Sequence, residues 1–100
     1  MFTVVYEFLI TDGNDERFRE AWRKHTEFVS STRGSLGSRL HTTGAPNTYV
    51  AYAQWPDRER WAETSMIYRE TQPDTLQEMK KYLIKSSVLR ELSVCDDMLE

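Results

Sequence analysis

The stretch "FTVVYEFLI", residues 2–10, constrains the fold of this chain more than any other. Its residue types suit an extended strand, and side chains along a strand alternate between two faces. Phe2, Val4, Tyr6, Phe8 and Ile10 then share one face, while Thr3, Val5, Glu7 and Leu9 share the other. Both faces carry apolar groups, so both need cover. Glu7 in mid-run, with no basic leader and no small-residue cleavage site, reads as a strand and not as a signal peptide. A length of 100 residues fits one domain, spanning 1–100.

Beyond residue 10 the chain alternates between helix and strand patterns. "TDGND" is a turn cluster, with Asn14 or Asp15 available as a helix cap. A helix is predicted over 16–30, where Phe18, Ala21, Trp22, His25, Phe28 and Val29 form one apolar stripe. Gly34 stops it. A second strand is predicted over 36–42 and a third over 48–55, joined through "TGAPN". On the third, Tyr49, Ala51, Ala53 and Trp55 share a face, and Val50, Tyr52 and Gln54 share the other. Pro56 ends the ladder because it has no N–H to donate. Asp57 can cap a helix over 58–68 that turns Trp61, Ala62, Ser65 and Tyr68 inward. Asp74 and Gln77 suggest a capping box for a short helix over 75–84, presenting Leu76, Met79 and Leu83. The last strand is predicted over 89–96, and no internal repeat interrupts the series.

This order is a βαββαβ plan. It corresponds to an α+β, ferredoxin-like antiparallel sheet with helices on one face. Helices there cover only one side of the first strand. Tyr52 and Trp55 also point opposite ways on the third. A second copy of the chain is the simplest cover for the open face, so a homodimer through that face is expected.

Composition removes several classes of function. The chain is 39% hydrophobic and 29% charged, a globular profile. A net charge of −3 offers no footprint for nucleic acid. No apolar run approaches the ~20 residues that span a bilayer, so no membrane association is expected. The one cysteine, Cys95, permits no internal disulfide, and no Cys/His cluster suits a metal. A cytoplasmic location is the default. No nucleophile motif or glycine-rich phosphate loop supports a hydrolase, kinase or dinucleotide-dependent enzyme.

"GSLGSRLH" and "YVAYAQWPDRERWAE", after a helix containing "FREAW", resemble the antibiotic biosynthesis monooxygenase domain family. The resemblance covers nearly the whole chain. Its most recognisable part is a strand ending in Trp, a short polar cap, and a helix with an aromatic residue in its first turn. It implies a ferredoxin-like fold that dimerises sheet to sheet, a dimeric α/β-barrel. The superfamily's chemistry is varied, and fold does not fix it. Haem-degrading members use an asparagine on the first strand, a tryptophan in the second helix and a later histidine as iron ligand. The matching positions here are Glu7 or Phe8, about Thr64, and about Asp74, so the resemblance does not extend to haem degradation. Another branch oxidises polycyclic phenols or quinols with oxygen and neither metal nor flavin. What the resemblance implies is a cofactor-independent monooxygenase acting on a small aromatic phenol or quinol. The alternative is a non-catalytic homodimer that binds a small ligand or serves a structural role.

Such chemistry needs an apolar cavity, aromatic walls and a group to take or share the phenol proton. Trp22, Trp55, Trp61, Tyr6, Tyr52 and Phe28 are candidate walls, with Arg39 as a polar binding residue. His25, Glu7 and His41 are the candidate catalytic groups. Each also has a plain structural reading. His25 could be a packed histidine at the edge of its stripe, and His41 a surface residue at a strand end. Glu7 could pair with Arg39 across the open face. Trp55 and Trp61 could be core, and Tyr6 and Tyr52 suit any strand. Cys95 is expected to be inert, and the ending "DDMLE" a solvated tail.

Overall fold

The computed structural model describes residues 1–99, and Glu100 of the acidic ending lies outside them. Seven elements run in order along the chain: β1 (Phe2–Ile10), α1 (Asp15–Arg33), β2 (Gly37–Thr42), β3 (Thr48–Trp55), α2 (Arg58–Glu70), α3 (Asp74–Lys80) and β4 (Leu83–Ser93). The strands form one antiparallel sheet in the order β2-β3-β1-β4. The fold is therefore the expected α+β, ferredoxin-like one, with the expected short helix before the last strand.

β1 is central and pairs along its whole length. Phe2 lies opposite Trp55 of β3, and Leu9 opposite Thr48. On its other side Phe2 faces Ser93 and Ile10 faces Leu83 of β4. That second pairing explains two departures from the sequence reading. The last strand begins at Leu83 instead of 89 and ends at Ser93 instead of 96; the short helix stops at Lys80 instead of 84. Without β4 one edge of β1 would be left unpaired, and every residue from Leu83 onward that joins it satisfies backbone groups there. The chain leaves α3 through backbone bonds from Lys81 N to Glu78 O and from Tyr82 N to Met79 O. Tyr82 O then accepts from Thr11 N at the start of the ladder.

Helix ends obey local chemistry with two corrections. Asp57 caps α2, its carboxylate accepting from Arg60 N at 2.8 Å. Gly34 ends α1 in the left-handed region, at φ 78°. The predicted capping box at Asp74 does not form. Pro73 holds the cap position, and Gln77 Nε2 donates to Gln72 O at 2.9 Å. Asn14 sits at the α1 cap without a side-chain cap bond and donates instead to Thr11 Oγ1 at 2.8 Å.

The helices cover one sheet face, where the core divides into two clusters. Phe8, Ile10, Phe18, Ala21, Tyr49, Ala51 and Met79 pack at one end. Phe2, Val4, Val29 and Trp55 pack at the other. Tyr6 touches both clusters. On the opposite face of β1, Glu7 and Leu9 are exposed, Leu9 by 37%. Leu92 of β4, which pairs with Thr3, is 44% exposed. Among the described residues, no helix is long and apolar enough to cross a membrane.

Phe18 is fully buried at 0% exposure and stacks obliquely on Phe8 and Tyr49. Phe18→Ala should cost about 3–5 kcal/mol, from lost transfer energy and the cavity left behind. Urea unfolding followed by circular dichroism measures this; a loss under about 1 kcal/mol would show that the cluster does not organise the core.

Candidate functional site

A cavity of about 570 Å³ lies between the two core clusters, under α1, α2 and α3 and over the sheet. Its existence is a matter of side-chain volume. The middle of the helix-facing sheet surface carries Ala51 and Ala53 of β3, Ser38 of β2 and Ser86 of β4. Large residues at the two ends, Tyr49 and Trp55 on β3, hold the helices off this floor of small ones. Tyr6, Phe8, Trp22, Trp55 and Trp61 supply aromatic wall.

His25 enters the cavity from α1. Its Nδ1 lies 2.9 Å from Thr75 Oγ1 at the start of α3, and its ring is 5.9 Å from that of Tyr68. Burial lowers its pKa to about 4, so the imidazole is neutral at ordinary pH. Trp61 Nε1 donates to the Tyr6 hydroxyl at 2.7 Å, tying α2 to β1. Burial chiefly raises the Tyr6 pKa; the Trp61 bond opposes this and the Glu91 charge adds to it. Trp55 Nε1 and the Tyr68 hydroxyl are buried without a hydrogen-bond partner among the described residues.

The structure gathers five of the sequence candidates, His25, Trp22, Tyr6, Trp55 and Trp61, around this one cavity. It does not bring the other two candidate bases to them. Glu7 and His41 lie on the open face, in one row through Val50, with His41 Nδ1 3.0 Å from Val50 O. Strand alternation causes this, since Glu7 comes directly after the inward Tyr6. Tyr52 and Arg39 also face that side, directly opposite each other. Arg39 is thus the cross-strand neighbour of Tyr52, and Glu7 stands between Val50 and Ser87. Arg39 and His41 instead border a second depression of about 470 Å³, beside Arg19 and Arg23 of α1. Phe28 is half-buried on α1 and outside the cavity lining.

Sequence reasoning missed Tyr68, Thr75, Arg69 and Lys80 as site residues. The helix-facing alanines of "YVAYAQW" were the available signal for a hollow, because a filled core would put larger residues there. Among the described residues, no group of three His, Cys, Asp or Glu side chains could hold a metal ion.

Residues 1–65 match the family described as antibiotic biosynthesis monooxygenase. No curated protein sequence matches the chain significantly. Among solved structures, SnoaB, a cofactor-independent oxygenase from Streptomyces nogalater, aligns at 18% identity and a TM-score of 0.73, over 99% of this chain and 97% of its own. A NIPSNAP domain protein from Burkholderia xenovorans aligns at 17% identity and a TM-score of 0.66, over 97% of this chain and all of its own. At these identities the likeness establishes a shared fold.

The lowered pKa of His25 carries a consequence for stability. The imidazole titrates near 6.5 when unfolded and near 4 when folded. Between those values the unfolded chain binds the extra proton. Stability is therefore complete above pH 6.5 and falls as the pH drops toward 4, by about 3 kcal/mol at most. Urea titrations of wild type and His25→Gln across this window should differ in slope, the variant losing less on acidification. Parallel slopes would refute burial of a neutral His25.

Proposed function

The chain belongs to the antibiotic biosynthesis monooxygenase family, and from that premise we propose that it is a cofactor-independent monooxygenase acting on a small aromatic phenol or quinol. The supporting observation is the aromatic-walled cavity with a neutral, anchored His25 inside it. The volume of about 570 Å³ falls in the range of small-molecule sites. SnoaB, which shares the fold, is itself a cofactor-independent oxygenase.

The chemistry balances without a further reductant. A phenol held between Trp22, Trp55 and Trp61 gives its hydroxyl proton toward His25. In the tautomer that donates Nδ1–H to Thr75, Nε2 presents a lone pair for this. The electron-rich ring passes an electron to oxygen, and the resulting pair joins at a ring carbon to form a C–O bond. Loss of the hydrogen at that carbon, with cleavage of the O–O bond, yields the quinone carbonyl and water. The ring supplies every electron that oxygen takes up. Glu7 and His41 have no part in these steps, because they lie across the sheet from the cavity.

The same reading includes a homodimer through the open sheet face, the dimeric α/β-barrel arrangement. Leu9, Leu92 and the half-buried Val5, Val50 and Tyr52 on that face gain cover from a second copy.

Oxygen uptake by metal-free protein over a panel of hydroquinones and polyphenols should reveal turnover on at least one. His25→Phe should lower kcat/KM about a hundredfold if it shares the phenol proton. No uptake on any phenol, with binding intact, would favour the non-catalytic ligand-binding dimer instead. Sedimentation should give about twice the 11.8 kDa chain mass; a monomer at micromolar concentration would remove the dimer.

A further inference from the structure

Hydrogen-bond donors are among the side chains that line the cavity, and among the described residues no carboxylate lines it. Tyr6 accepts from Trp61 Nε1 at 2.7 Å, which leaves its own proton for a further acceptor. Burial above all raises its pKa, so the hydroxyl keeps that proton throughout the neutral range. Two exposed cations, Arg69 at the end of α2 and Lys80 at the end of α3, are the charged side chains that line the cavity. This is an uneven distribution for a chain with 16 Asp and Glu against 13 Lys and Arg. Glu91, whose charge reaches Tyr6, is not in the lining and is held by Arg58 at 2.7 Å.

We propose that the cavity takes its aromatic ligand as an oxyanion, a phenolate whose oxygen accepts from the Tyr6 hydroxyl while Arg69 and Lys80 supply the countercharge. A hydrogen bond to an anion is about twice as strong as one between neutral groups. The Trp61 N–H polarises the Tyr6 hydroxyl and makes it a better donor. A site of donors and cations therefore holds the anion more tightly than the neutral phenol and lowers the ligand's own pKa. This rests on reading the cavity as a phenol site, and adds the protonation state and the residues that select it. Phenolate is also the form that gives an electron to oxygen most readily, so the selection poises the ligand for reaction.

The probe is para-nitrophenol, whose anion absorbs at longer wavelength than the acid, so that bound and free forms are titrated optically without turnover. Bound to the wild type, it should titrate about one unit lower than in solution, a tenfold preference for the anion. Tyr6→Phe should lose most of the shift yet still bind the neutral para-nitroanisole. Trp61→Phe should lose part of the shift, and serves if the Tyr6 variant is unfolded. Arg69→Gln with Lys80→Gln should weaken anion binding several-fold, flatten its salt dependence and leave para-nitroanisole unaffected. An unshifted titration in the wild type, a full shift in Tyr6→Phe, or no binding of either probe would overturn the proposal. A shift without oxygen uptake would sink the oxygenase reading alone, and uptake without a shift would sink anion selection alone.

Discussion

Side-chain alternation along β1 divides this molecule into two chemistries. The strand is central, paired on both edges, and each of its residues must go up or down. Helices stand on one side only. Phe2, Val4, Tyr6, Phe8 and Ile10 therefore meet helices, while Glu7 and Leu9 meet the open face. Everything else is arranged around that partition. The cavity can form only on the helical side, and an association through the sheet can form only on the other.

Within the helical side, volume sets the site. Two clusters of large residues act as pillars, and alanine and serine between them leave a floor too low to fill the gap. Polar groups that enter the gap are held by partners at its walls. Thr75 fixes the ring of His25, and Trp61 fixes the hydroxyl of Tyr6. Each bond joins two different elements, α1 to α3 and α2 to β1, so it positions a functional group and ties the pillars together. Loss of either bond would leave a buried polar group unmatched, at a cost of about 1–3 kcal/mol.

How far the sequence could be read differs by element. β1 and β3 were legible to the residue, because alternation and Pro56 mark them without reference to anything distant. The cap at Asp57 and the stop at Gly34 were equally local. The stretch from Asp74 to Ser93 was not. "LIKSSVLREL" has no strong period of its own, and its strand begins at Leu83 because β1 offers a free edge there. The Asp74–Gln77 box failed for a related reason: Pro73 already occupied the cap and Gln77 found Gln72.

The site divides in the same way. By itself the sequence determined which residues share a face, since parity along a strand and the period of a helix are local properties. That parity already set Glu7 apart from Tyr6 and Tyr52 apart from Trp55. Tertiary structure decided which faces meet. It placed His25 against Thr75, Tyr6 against Trp61, and the cations Arg69 and Lys80 beside a donor-lined hollow. Those contacts join residues about fifty positions apart, and their geometry is set by how high the large residues of two core clusters hold the helices above the sheet, a distance that no local pattern records.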